Sequence, residues 1–160
     1  MIKALRIDER MIHGQVAVAW CTTLSVDSII VANDEVAKDE ITIMSLKMVA
    51  PQHIRVVVKS LDDTVKLFQD PRIHTKTILL LVTNPKDALY LIDNISDVPY
   101  VNVGNFGMIE NSDNRKSLGT SLAVNDEEVE IFREIVQKRP ESNYQMTPTL
   151  TPKLLSDLIK

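Results

Sequence analysis

Reactive side chains are scarce in this chain of 160 residues, which holds one cysteine, three histidines (His13, His53 and His74) and four glycines. A single thiol, Cys21, can neither close an internal disulfide nor assemble a thiolate metal site. Aromatic residues make up only 4% of the chain. No stretch approaches the roughly 18 consecutive apolar residues that span a bilayer. The N-terminal MIKALRIDER lacks the apolar segment of a secretion signal, so a reducing, cytoplasmic setting is expected. Basic excess is missing as well: 18 Lys and Arg stand against 22 Asp and Glu, a formal charge of −4. That balance argues against a nucleic-acid partner, which calls for a basic face or stripe. There is no GxxxxGK[ST] phosphate loop and no GxSxG elbow, and no HxxxH or paired His/Asp spacing occurs. P-loop chemistry, acyl transfer from an elbow serine and metal-dependent catalysis are therefore disfavoured, and neither cofactor nor metal is expected.

What is present fits one globular domain spanning residues 1–160, with 44% hydrophobic and 25% charged residues and no linker or repeat. Short β-branched runs occur at Ile2–Ile7, Ser28–Ala32, Ile54–Val58, Thr77–Val82 and Val98–Val103. Several are continuously apolar, as in Val56-Val57-Val58 and Ile78–Val82, which predicts strands covered on both faces. Helical spacing lies between them. Ile41, Met44 and Met48 fall at i, i+3, i+7, with the methionines expected as core filler, and Pro51 closes the segment. Ser60 and Asp63 open a helix through Leu61, Val65 and Phe68, while Asn84-Pro85 opens one through Ala88, Leu91, Ile92 and Ile95. Asn125 caps a segment with Val129, Phe132 and Val136, and Thr151-Pro152 is expected to start a last helix carrying Leu154, Leu155, Leu158 and Ile159. Such alternation predicts an α/β fold: an open, doubly wound, mainly parallel sheet with helices on both faces. Ser117–Val124 and Tyr144–Thr147 are expected to add one or two edge strands.

Ligands of such sheets bind beyond the carboxyl ends of the strands. His53 and His74 precede the third and fourth predicted strands, at the opposite face. His13 alone follows a strand, in the loop Asp8-Glu9-Arg10-Met11-Ile12-His13-Gly14-Gln15, directly before a helix with Val16, Trp20 and Leu24 on one face. First-turn amides of that helix have no intrahelical acceptor, and the dipole end is positive, so an anion such as phosphate is stabilised there. Gly14 lets the backbone come close, and Arg10 offers a planar fork to phosphate oxygens. Asp8 is expected to fix the His13 tautomer, leaving the other ring nitrogen as nucleophile. The arrangement reads as a phosphohistidine site, whereas Ser60 and Asn33, taken alone, read as capping residues. A non-catalytic module that binds a phosphorylated metabolite at the same loop is the alternative.

The run Arg6-Ile7-Asp8-Glu9-Arg10-Met11-Ile12-His13-Gly14-Gln15-Val16, with Trp20 behind it, closely resembles one family's active-site segment. That family is the IIB component of the mannose/fructose/sorbose type in the bacterial sugar phosphotransferase system. The likeness continues through Ala32–Ala37, Leu46-Lys47-Met48, Val82-Thr83-Asn84-Pro85 and Asn102-Val103-Gly104-Asn105. The resemblance implies a cytoplasmic phosphoryl carrier that moves phosphate from protein phosphohistidine to sugar. Its expected partners are a IIA phosphoryl donor and the membrane components IIC and IID, which hold the sugar substrate. It also implies phosphorylation of His13, at Nδ1, with the loop from Arg10 through Ile12 and Gly14 to Gln15 as phosphate cradle and Asp8, Asn33 and Ser60 as further candidates. The sugar and the oligomeric state stay open. After Ser112 the chain departs from the family pattern, in Asn114–Ser117 and Tyr144–Pro148, and this region is expected to bear on partner choice.

Overall fold

The apolar run Ile78–Val82 becomes the middle of a seven-stranded sheet in the computed structural model, which describes residues 1–109 and 114–160. Ser112, where the departure from the family pattern begins, lies outside the described residues. The strands are β1 (Ile2–Asp8), β2 (Ser28–Ala32), β3 (Arg55–Lys59), β4 (Ile78–Val82), β5 (Val101–Asn105), β8 (Asn143–Tyr144) and β9 (Lys153–Leu154). Their spatial order is β3-β2-β4-β1-β5-β8-β9, parallel throughout except for the last pair. Strands β2, β4 and β5 are buried at every position. Alternate residues of β4 serve two cores: Ile78, Leu80 and Val82 face one side, Leu79 and Leu81 the other.

Helices α1 (Gly14–Leu24) and α2 (Glu40–Val49) cover one face through Ala17, Trp20, Cys21 and Leu46. Helices α3 (Leu61–Leu67), α4 (Pro85–Asn94) and α5 (Asp126–Lys138) cover the other through Val65, Leu91, Phe132 and Ile135. The chain runs outward from β1 to β3 with its helices on one face, then returns through β4 to β5 with helices on the other. The predicted starts hold at side-chain caps: Ser60 accepts from the Asp63 amide, Asn84 from Asp87, and Asn125 forms a capping box with Glu128.

The structure departs from expectation in four places. Ile41, Met44 and Met48 are 79%, 64% and 79% exposed, because α2 turns Leu46 to the core and its i, i+3, i+7 stripe to solvent. Val57 and Val58 are only half-buried, since β3 is the edge strand and has no neighbour on its outer side. The 117–124 segment does not extend the main sheet. It folds as a separate hairpin of β6 (Lys116–Gly119) and β7 (Leu122–Val124), held to the end of β5 through Phe106 and Leu122. The last helix, α6 (Leu155–Leu158), starts later than Thr151-Pro152 implies, because Lys153 and Leu154 pair with β8 instead.

Candidate active site

The loop after β1 is built on a strand end that alternates charge with apolar side chains. Leu5 and Ile7 enter one core. Arg6 and Asp8 point to the opposite face, beneath α1, at 3% and 1% exposure. There Arg6 Nη2 meets Asp8 Oδ2 at 3.3 Å. Burial lowers the Arg6 guanidinium to about 10, opposed by the Asp8 charge, so it remains a cation at neutral pH. The Asp8 carbonyl accepts the Met11 amide at 2.9 Å, and Asp8 Oδ1 accepts the Arg10 amide at 3.0 Å, a side-chain-stabilised turn. Met11 takes a left-handed φ of 60° and Gly14 one of 46°. Two reversals within four residues lift His13 out of the sheet while Ile12, 5% exposed, anchors the loop.

His13 occupies the N-cap position of α1 but makes no side-chain cap bond, so its imidazole is exposed and available. The Val16 and Ala17 amides return to the His13 carbonyl at 3.1 and 3.3 Å. The Gly14 and Gln15 amides precede the first intrahelical bond and form the positive end of the helix dipole. Nothing lies within 4 Å of where a Gly14 Cβ would sit, so the glycine serves backbone conformation rather than space. Arg10 Nη1 stands 3.2 Å from His13 Nε2. Guanidinium has donors only, so Nε2 accepts through its lone pair and a neutral ring then carries its proton on Nδ1.

The sequence expectations divide on this geometry. His13, Arg10, Ile12, Gly14 and Gln15 form one loop and helix start. Asp8 is beneath them but is not bonded to the imidazole. Its oxygens face Arg6 and Arg10, because a strand-end side chain on the buried face lies below a ring held at the exposed N-cap. Asn33 and Ser60 lie elsewhere. Asn33 follows β2, two strands from β1 or about 10 Å across the sheet, and Ser60 follows β3, about 14 Å away. Asn33 Oδ1 accepts the Glu35 and Val36 amides, and Ser60 caps α3. His53 and His74 do fall at the amino ends of β3 and β4, in a turn and in a short 3-10 helix, Pro71–Thr75.

Sequence reasoning missed three contributors. The Glu9 carboxylate accepts the Gly107 and Met108 amides at 3.2 and 2.8 Å, fastening the loop after β5 to the loop after β1. Trp20 Nε1 donates to the Met146 carbonyl at 3.1 Å. Arg6 donates to Asn102 Oδ1 and to the Gln145 and Met146 carbonyls. A charge within a strand otherwise buried on both faces was a legible signal for the last of these. Among the described residues, no group of three or more His, Cys, Asp and Glu side chains converges as metal ligands would. No helix of the described residues is long and apolar enough to cross a membrane.

Both the sequence and the fold are shared with known proteins. The sequence profile of the family described as "PTS system sorbose subfamily IIB component" matches residues 2–160. The chain is 40% identical over 163 residues, 99% of each chain, to the "Probable phosphotransferase enzyme IIB component" of Streptococcus pyogenes serotype M6. It is 31% identical over 160 residues to the mannose-specific EIIAB component of Escherichia coli K12, spanning 99% of this chain and 48% of that one. The crystal structure of the IIBSor domain of the sorbose permease from Klebsiella pneumoniae superposes with a TM-score of 0.91 at 27% identity. That match covers 99% of this chain and 96% of the other.

Proposed function

The chain belongs to the sorbose subfamily of phosphotransferase-system IIB components, and on that premise we propose that it is a phosphoryl carrier whose nucleophile is His13. A phosphohistidine on a IIA protein donates to His13. Phospho-His13 then passes the group to a sugar held by the membrane components IIC and IID, beside which the chain works at the cytoplasmic surface. One observation carries the assignment of residues: an exposed imidazole at a helix N-terminus, 3.2 Å from an arginine fork. A surface position suits a group that must meet two protein partners in turn.

The first-turn amides of Gly14 and Gln15, with Arg10, provide charge and donors where the equatorial phosphoryl oxygens come to rest, so positioning and electrostatics do most of the work. In the resting loop Arg10 holds the Nε2 lone pair. An incoming phosphoryl group, richer in charge, draws the fork to its oxygens. The ring then takes its proton on Nε2, and the Nδ1 lone pair attacks phosphorus. The phosphorus–nitrogen bond of the donor breaks as the bond to Nδ1 forms, and the donor imidazole is released.

Incubation with phosphoenolpyruvate, the general phosphotransferase proteins and a cognate IIA is expected to add one phosphoryl group, stable to base and labile to acid. Intact mass spectrometry reads the addition. A binding module for a phosphorylated metabolite would show no covalent mass change. Undiminished label in His13→Ala would overturn the assignment.

A further inference from the structure

A charged side chain inside a doubly covered strand needs a reason, because an unpaired buried charge is strongly destabilising. The Arg6 guanidinium lies over the Trp20 ring, 5.0 Å from its centroid. It also lies against the backbone of Gly104, where an added Cβ would sit 1.9 Å from Nη2. Four acceptors surround it: the Asp8 carboxylate, Asn102 Oδ1, and the carbonyls of Gln145 and Met146 at 3.2 and 2.9 Å. The space between this cluster and α1 is filled, with about 10 Å³ left free.

The arrangement matters through the way neighbouring charges divide. Asp8 offers Oδ2 to Arg6, while Oδ1 accepts the Arg10 amide and stands 3.7 Å from Arg10 Nε. Without Arg6, Asp8 would be a buried carboxylate whose nearest cation is Arg10. Attraction between them strengthens as the dielectric falls, and the Arg10 fork would be drawn inward, away from His13. With Asp8 neutralised from below, the Arg10 side chain stays partly exposed and faces the imidazole.

We propose that Arg6 is the positioning residue of the phosphoryl-accepting loop: by neutralising Asp8 and seating the Gln145-Met146 strap, it keeps Arg10 on the His13 side. The inference rests on the carrier reading of His13. Trp20 is the one tryptophan of the chain and donates to the same Met146 carbonyl, so its emission reports whether the strap is seated.

Quenched-flow transfer from phospho-IIA to the full chain tests it. Arg6→Lys keeps the charge but loses the fork that reaches Asp8, Asn102 and two carbonyls together. It is expected to slow phosphoryl acceptance about tenfold to a hundredfold and to shift Trp20 emission. In an Arg10→Ala background the same change is expected to cause no further slowing, because Arg6 acts through Arg10. Asn102→Ala removes one acceptor and leaves the charge; a smaller slowing is expected, again absent without Arg10. Wild-type rates in Arg6→Lys, or slowing that persists undiminished without Arg10, would overturn the inference. Should Arg6→Lys fail to fold, the Asn102→Ala pair decides. A wild-type chain that takes no label from phospho-IIA refutes the carrier reading, and this inference falls with it.

Discussion

Arg10 joins two tasks at the scale of a single residue, meeting the buried Asp8 carboxylate with its backbone amide and the exposed His13 ring with its fork. Its side chain is 35% exposed and packs no core, so its removal bears on chemistry more than on stability. Arg10→Ala is expected to slow transfer to and from His13 by about 10²-fold, the scale for losing one charged donor at a developing anion. Its unfolding free energy is expected to stay within about 0.5 kcal/mol of wild type. Arg10→Lys should recover only part of the rate, because a point charge lacks the planar fork. Transfer at the wild-type rate in Arg10→Ala would mean that the amides of α1 cradle the phosphoryl group alone.

Among the elements, α1 presents its N-terminus to the site and buries the opposite side of its surface through Ala17, Trp20 and Cys21. Burial pushes the Cys21 thiol up from 9.0 to about 11, with no charged neighbour contributing. The neutral thiol is therefore favoured in the fold. Alkylation of Cys21 at pH 8 is expected to be slow in the native chain and fast in urea, read by mass. The raised folded value also sets the sign of a pH effect. Its stabilisation is complete below pH 9, where folded and unfolded thiols are both protonated, and is lost as pH rises toward 11, because the unfolded thiol ionises first. Cys21→Ala is expected to flatten that part of the denaturation profile. Rapid native alkylation at pH 8 would contradict the assignment.

At the level of the whole molecule, strand order decides where the site lies. The helices after β1 and β4, neighbours in the sheet, leave to opposite faces, and the loop carrying His13 sits at that divergence. The core beneath is separable from the chemistry. Leu80, 0% exposed in the middle of β4, pairs with Leu5 of β1 and Ile30 of β2. Leu80→Ala is expected to cost about 2–5 kcal/mol in urea denaturation, through lost transfer energy and a cavity. Phosphoryl acceptance at 25 °C should persist while the chain remains folded. Loss of acceptance without loss of stability would show that the core shapes the loop more directly.

Much of this was legible in the chain itself. Continuous apolar runs marked β3 and β4, Ser60, Asn84 and Asn125 marked helix starts, and Gly14 after His13 marked the start of α1. Those signals are local, set by side-chain covering, caps and backbone sterics over a few neighbouring residues. The exposure of Met44 and Met48, the separate β6–β7 hairpin and the removal of Asn33 and Ser60 from the site were not legible. Each depends on which strand lies beside which, and a one-dimensional pattern carries no lateral order. The sequence by itself determined β1 to β5, most caps and the His13 loop. Only the tertiary structure decided that Asp8 answers to Arg6 rather than to His13, because that choice is made by residues 102, 145 and 146, brought to β1 by the sheet and the closing strap.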